Sequence, residues 1–224
     1  MTGVILAGGE GTRLRPLTHV TNKHLLPVYD KPMIYYPIET LKDMGCEEII
    51  LVTGGNNIGG FANLLKDGTD LGVDITYRVQ SEAGGIAQAL GCVAGLVSGV
   101  FPVILGDNYF SQAPEVPTKP TIYTKEVSDP ERFGVYSSAS NDIEEKPELP
   151  QSNSAVVGLY VYDNRVFDMI TSLEPSNRGE YEITDINNQY LKLGAAAVGL
   201  EGYWGDMGTF DSLLEVANYI KETK

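Results

Sequence analysis

Gly3-Val4-Ile5-Leu6-Ala7-Gly8-Gly9-Glu10-Gly11-Thr12-Arg13-Leu14-Arg15 is the stretch that decides the fold. Its first five residues form a short apolar run, the pattern of a strand buried on both faces of a parallel sheet. A glycine loop placed directly after such a strand lies where the sheet's C-terminal edge offers backbone N–H groups to a ligand. Glycine there permits unusual backbone angles and lets phosphate oxygens approach the main chain. The loop is not a dinucleotide fingerprint, because Leu14 stands where a third glycine is required, and it is not a P-loop, because no Gly-Lys-Ser/Thr follows. Arg13 sets a cation inside the loop and Lys23 follows shortly after. By themselves these residues suit either a phosphate-holding loop or a tight strand-to-helix turn with a solvated arginine.

Outward from the loop, short apolar runs alternate with helical patterns, which predicts an α/β fold. Strands are expected at 3–7, 48–53, 74–79 and 101–105, and helices at 33–44, 60–65 and 85–95, the first of them stopped by Gly45. Beyond Asp107 the alternation lapses into the proline-rich stretch 113–120 and strand-like runs at 121–124 and 133–137. Glu144-Glu145-Lys146-Pro147 reads as a loop leading to a buried strand at 155–162, with helices at 164–172, 183–192 and 210–221. Neither a repeat nor a linker interrupts the chain, so a single domain over 1–224 is expected.

Composition excludes several classes. A formal charge of -14 over 224 residues opposes sequence-independent nucleic-acid binding, which needs clustered cations. Any phosphate must be gripped locally, by backbone N–H groups, a few cations and a divalent metal bridging to carboxylates. The N-terminus lacks the pattern of a secretory leader, and no run approaches the roughly 20 apolar residues of a membrane helix, so no membrane partner and a cytoplasmic location are expected. Cys46 and Cys92 lie in no metal or redox spacing and read as reduced, buried structural thiols. His19 and His24 read as packing or polar surface residues.

Two carboxylates stand out. Asp107 follows the apolar strand Pro102-Val103-Ile104-Leu105 and Gly106, which would aim it into the crevice at the sheet edge. Asp206 lies between Gly205 and Gly208 in an aromatic-rich turn. Each is equally a turn or capping aspartate when taken alone. Gln80 ends a strand with an amide able to match a pyrimidine edge that carries adjacent N–H and C=O groups, or it is simply a polar strand end.

The segments 6–18, Asn22-Lys23-His24-Leu25-Leu26-Pro27 and Asp30-Lys31-Pro32-Met33-Ile34-Tyr35-Tyr36-Pro37 carry a resemblance that extends in order through 79–80, 85–89, 105–108, 129–135, 144–147, 158–160, 178–187 and Trp204-Gly205-Asp206-Met207-Gly208. The chain resembles the sugar nucleotidyltransferases, and in 30–37 their glucose-1-phosphate thymidylyltransferase branch. The resemblance implies a Rossmann-like three-layer α/β fold with a mainly parallel central sheet and a smaller mixed-sheet sugar-binding region. The nucleotide-binding half would span 1–110 and the sugar-phosphate half 111–224. It further implies that dTTP and glucose 1-phosphate are joined into dTDP-glucose, with pyrophosphate released by direct in-line displacement assisted by magnesium (Mg2+).

In that frame Asp107 and Asp206 hold the metal. Leu6, Gly8, Gly9, Gly11, Thr12, Arg13, Gln80 and Gly85 bind the nucleotide, and Asn108, Gly134, Glu145, Lys146, Val156 and Arg178 the sugar phosphate. Arg13, Lys23, Asp107 and Lys146 are the catalytic set. A homo-oligomer, dimer or tetramer, in dTDP-sugar biosynthesis is implied as well. The alternatives are a uridylyltransferase or another hexose-1-phosphate nucleotidyltransferase, or a catalytically silent sugar-nucleotide-binding domain. Three departures accompany the resemblance. The chain ends at Lys224 where many relatives continue with helices that help form a regulatory nucleotide site; 113–120 replaces a helix; and Phe133 and Met207 stand where Tyr and Thr are more usual.

Overall fold

The computed structural model describes residues 1–176 and 179–224. The first strand, β1 (Thr2–Ala7), is followed by β2 (Pro27–Val28), β3 (Lys31–Pro32), α1 (Tyr35–Asp43), β4 (Glu48–Gly54), α2 (Ile58–Leu65) and β5 (Asp74–Gln80). Next come α3 (Ile86–Gly91), β6 (Val100–Leu105), β7 (Asn108–Phe110), β8 (Thr121–Glu126), β9 (Gly134–Ser137), β10 (Asp142–Glu145) and β11 (Ser154–Asp163). The chain finishes with α4 (Arg165–Thr171), α5 (Ile183–Lys192), β12 (Ala196–Gly199), β13 (Trp204–Asp206) and α6 (Phe210–Thr223).

These elements gather into two compact units. One is built from Met1–Ala83, Ile104–Ala113 and Gly202–Lys224, the other from Gly84–Val103 and Pro114–Glu201. In the first unit β4 runs between β1 and β5 and parallel to both, with Ile5 opposite Leu51 and Leu51 opposite Tyr77. Val4, Ile5, Ala7, Leu51 and Val52 are fully or almost fully buried, as strands covered on both faces require. Two smaller antiparallel pairs complete the unit, β2 with β3 and β13 with β7. Helix α6 begins with a capping box in which Thr209 and Ser212 each bond the other's backbone N–H. It buries Val216 and Ile220 against Val28, Met33, Tyr36 and Met207.

The second unit carries a mixed sheet. Strand β11 is antiparallel to β8 and β9, β9 is antiparallel to β10, and β12 lies parallel to β8. Tyr160, Tyr162 and Tyr190 stack in its core, and the buried Tyr162 hydroxyl donates to Asn187 Oδ1 at 2.6 Å. Parallel pairing in the first unit and mixed pairing in the second are what the sequence pattern implied.

Differences are local. The helix expected over 85–95 closes at Gly91, with Gly85 at φ 98° before it and Gly95 at φ 77° after it. Glu144 and Glu145, expected in a loop, are the last residues of β10, and the loop starts at Lys146 with φ 47°. Strand β10 escaped notice because Ile143 is its one apolar residue and supplies no alternation. Both cysteines are free thiols, but only Cys46 is buried and Cys92 is half-buried. His19 is exposed, whereas His24 is fully enclosed.

Candidate active site

The glycine loop leaves β1 where the strand ends, and neighbours crowd the places a side chain on Gly8 or Gly11 would take.

 Gly11 adopts φ 65° and starts a 3-10 turn, Thr12–Leu14, whose Leu14 is the buried anchor. A methyl on Gly8 would stand 2.4 Å from Gln80 Oε1, and one on Gly11 would stand 2.9 Å from both the Lys23 and Thr18 side chains. Gln80 and Lys23 therefore lie directly against the loop. The parallel register explains the first contact, since it sets Gln80 opposite Gly54 at the end of the sheet. Thr12 and Arg13 are exposed on the turn, while Leu6 is buried and accepts the Gly106 N–H through its carbonyl at 2.9 Å.

That backbone bond leads to Asp107, a carboxylate only 8% exposed. Burial pushes its carboxyl up, but the Lys23 ammonium, ion-paired with Oδ2, and the hydrogen bond from Asn108 together with other nearby charge hold it well below the usual carboxylate range. Asn108 Nδ2 donates to Oδ1 at 3.2 Å. The neighbouring His24 ring is pushed down to about 3 by burial and then by Lys23, so it is neutral near pH 7. Its Nδ1 lies 2.6 Å from Asn22 Oδ1, which also accepts the His24 backbone N–H at 2.9 Å.

Asp206 reaches the same place from nearly 100 residues along the chain. The β7–β13 ladder pairs it with Asn108, and the Met207 N–H donates to the Asp107 carbonyl at 2.8 Å. A methyl on Gly208 would stand 2.8 Å from Arg13 Nη2 and 2.9 Å from Asp206 Oδ1, so guanidinium and carboxylate flank this glycine. The first unit thus brings together the loop, Arg13, Lys23, Gln80, Asp107, Asn108 and Asp206.

Among the described residues no group of three or more His, Cys, Asp or Glu forms a metal cluster. Two carboxylates are nevertheless the donor set that suits magnesium, which commonly takes one or two protein carboxylates and completes its shell with water and substrate phosphates. Lys23 is the cation that already compensates the buried Asp107 carboxylate.

The second unit holds the remaining candidates. Gly134 and Glu145 are cross-strand partners in β9 and β10, and a methyl on Gly134 would stand 3.3 Å from Glu145 Oε2. Thr184 Oγ1 donates to that oxygen at 2.6 Å, and Lys146 Nζ lies 3.7 Å from Oε1. Val156 sits in β11 opposite Thr124. Gly85 precedes α3, where a side chain would meet the Tyr181 backbone at 2.7 Å. Arg178 lies outside the described residues. Thr184 and Trp204, which bond Glu145 and Asn108, were not singled out, because a hydroxyl on a helix and an aromatic in a short strand carry no spacing signal; His24, read as a packing or polar surface residue, is buried.

This arrangement, two carboxylates beside a glycine loop and two cations, has the donors and charges that suit nucleotide phosphates. A family model described as nucleotidyl transferase matches residues 2–223. The glucose-1-phosphate thymidylyltransferase of Neisseria meningitidis is 42% identical over 99% of this chain and 83% of its own length. A crystal structure of a candidate glucose-1-phosphate thymidylyltransferase from Bacillus anthracis, in complex with sucrose, superposes with a TM-score of 0.92 at 44% identity, covering 99% of this chain and 96% of that one. A UDP-glucose pyrophosphorylase complexed with UDP-glucose gives 0.86 at 25% identity, covering 100% and 99%. The chain belongs to the nucleotidyl transferase family, and within it to the glucose-1-phosphate thymidylyltransferases. Among the described residues no helix is long and apolar enough to cross a membrane.

Proposed function

We propose that this protein transfers the thymidylyl group of dTTP to α-D-glucose 1-phosphate, giving dTDP-glucose and pyrophosphate. The observation that carries the reading is the buried Asp107, ion-paired with Lys23 and tied through the β7–β13 ladder to Asp206 beside the glycine loop. A sugar-phosphate oxygen attacks the α-phosphorus in line with the departing pyrophosphate, one P–O bond forming as another breaks. The nucleophile is already an anion at neutral pH, so no general base is needed, and the neutral, enclosed His24 is not assigned one.

The chain's own groups then have defined tasks. Arg13 and Lys23 counter the triphosphate charge, with the backbone of Leu6, Gly8, Gly9, Gly11 and Thr12 cradling it. Gln80 reads the pyrimidine edge and Gly85 offers main chain to the base. Glu145, oriented by Thr184, accepts sugar hydroxyls, with Asn108, Gly134 and Val156 lining the hexose and Lys146 and Arg178 meeting its phosphate. Magnesium bound by Asp107 and Asp206 would neutralise charge shared between the two phosphates. A cytoplasmic homo-oligomer, dimer or tetramer, serving dTDP-sugar biosynthesis belongs to the same reading.

A second reading, uridylyl transfer, is favoured by the likeness to the UDP-glucose pyrophosphorylase and by the hydrogen-bonding edge that uracil shares with thymine. Pyrophosphate release measured with dTTP, UTP, ATP and GTP against several hexose 1-phosphates separates the two. Greatest turnover is expected with dTTP and glucose 1-phosphate in the presence of magnesium, and silence across the panel would overturn the enzyme reading. Asp107→Asn is expected to lose at least about 100-fold in rate; near wild-type magnesium-dependent turnover in that variant would sink the metal assignment.

A further inference from the structure

The β7–β13 ladder has two faces. Successive strand residues point to opposite sides, so Asn108, Trp204 and Asp206 share one face and Tyr109 and Gly205 the other. Trp204 is paired with Phe110, which makes Asn108 its diagonal neighbour, a spacing within reach of a long aromatic side chain. The indole Nε1–H donates to Asn108 Oδ1 at 2.7 Å, and Asn108 Nδ2 donates to Asp107 Oδ1 at 3.2 Å.

An indole N–H can only donate, and an ionised carboxylate can only accept. A rotated Asn108 amide would set its NH2 against the indole N–H and its carbonyl against the Asp107 carboxylate, two repulsions in a residue only 3% exposed. Trp204 and the Asp107 carboxylate therefore select the same orientation of the amide, which holds Asp107 Oδ1 while Lys23 holds Oδ2.

We propose that Trp204 is a positioning residue for the reaction, acting on Asp107 through the Asn108 amide. The proposal rests on the reading of Asp107 as a metal ligand. It extends the site to a side chain that reaches Asp107 through the Asn108 amide, and it gives the chain's single tryptophan a task beyond packing.

The test uses the full chain. Trp204→Phe keeps an aromatic ring and removes the donor. Half-saturating magnesium is expected to rise, or kcat to fall, by about 10- to 100-fold, with KM for dTTP and for glucose 1-phosphate changed less than threefold and the urea midpoint retained. In a cycle with Asn108→Ala the double variant is expected to lose no more than the worse single variant, because both cut one relay. A magnesium dependence and kcat within twofold of wild type in Trp204→Phe, or additive losses in the cycle, would overturn the proposal.

A readout independent of turnover uses 5-fluorotryptophan, which labels one position. Its 19F resonance, recorded with dTTP and no sugar phosphate, is expected to move when MgCl2 is added, and to stay still in Asp107→Asn and in Asn108→Ala. An unmoved resonance in the native sequence, or an unchanged response in Asn108→Ala, overturns the relay even if Trp204→Phe fails to fold. Should no nucleotide support turnover while the magnesium response survives in the native sequence and is lost in both variants, the functional reading falls and the relay stands.

Discussion

At the scale of the residue, the site is governed by close approach and by burial. Gly8 leaves space that Gln80 Oε1 occupies, 2.4 Å from where a methyl would be. Gly8→Ala is expected to displace the Gln80 amide and to raise the KM for dTTP about 10-fold, the effect of one lost hydrogen-bonding partner of about 1.4 kcal/mol; a KM equal to wild type in steady-state assays contradicts this. His24 sets a pH dependence of stability. Its ring is pushed down from 6.5 to about 3 in the folded chain, first by burial. Between those values the unfolded chain binds a proton that the folded chain does not. The contribution of this group is thus complete above 6.5 and is lost as pH falls towards 3, at up to about 1.4 kcal/mol per pH unit. Urea midpoints measured from pH 7 to pH 4 are expected to fall accordingly and to show a shallower slope in His24→Gln. The sequence exposed Gly8, Gln80, Asp107 and Asp206 as candidates through their types and positions, but not the enclosure of His24, because enclosure depends on Phe61 and Gly106 arriving from distant segments.

At the scale of the element, α6 and the β7–β13 ladder act together. Gly205 lies against Val216 of α6 so closely that a methyl would stand 2.3 Å from Val216 Cγ2. Met207, where the resemblance leads one to expect Thr, is fully buried in the cluster with Val216 and Ile220, and its N–H holds the Asp107 carbonyl. Docking of α6 and placement of Asp206 are therefore one packing problem. Gly205→Ala is expected to destabilise by about 1–3 kcal/mol through overpacking and to reduce kcat by displacing Asp206. A thermal or urea unfolding curve read beside the magnesium dependence checks both effects, and an unaltered curve would show that α6 yields without cost. The long buried strands and α5 were legible because four or more apolar residues set their period. β2, β3, β7 and β13, each two or three residues long, were not, because so few residues contain no period and such strands exist only by pairing with a partner.

At the scale of the whole molecule, a net charge of -14 repels the anions this site is read to take, so attraction has to be local to Arg13, Lys23 and a bound cation. Excess EDTA is expected to abolish turnover and MgCl2 to restore it, with pyrophosphate release as the assay. Base discrimination should be modest. One methyl distinguishes thymine from uracil, and a pocket for a group of that size yields roughly 10- to 200-fold in kcat/KM; equal values for dTTP and dUTP, which share the deoxyribose, would show that no such pocket operates. The apolar runs and the glycine loop by themselves determined the α/β class, the parallel pairing around β1 and the two carboxylates worth asking about, because those signals are local and periodic. Only the tertiary structure decided that 202–224 joins the unit of the N-terminal strand, that Asp206 lies beside Asn108, and that Trp204 reaches the Asn108 amide. Contacts between residues about 100 positions apart are set by how the strands pair and the helices pack, and no local pattern in a single sequence records that outcome.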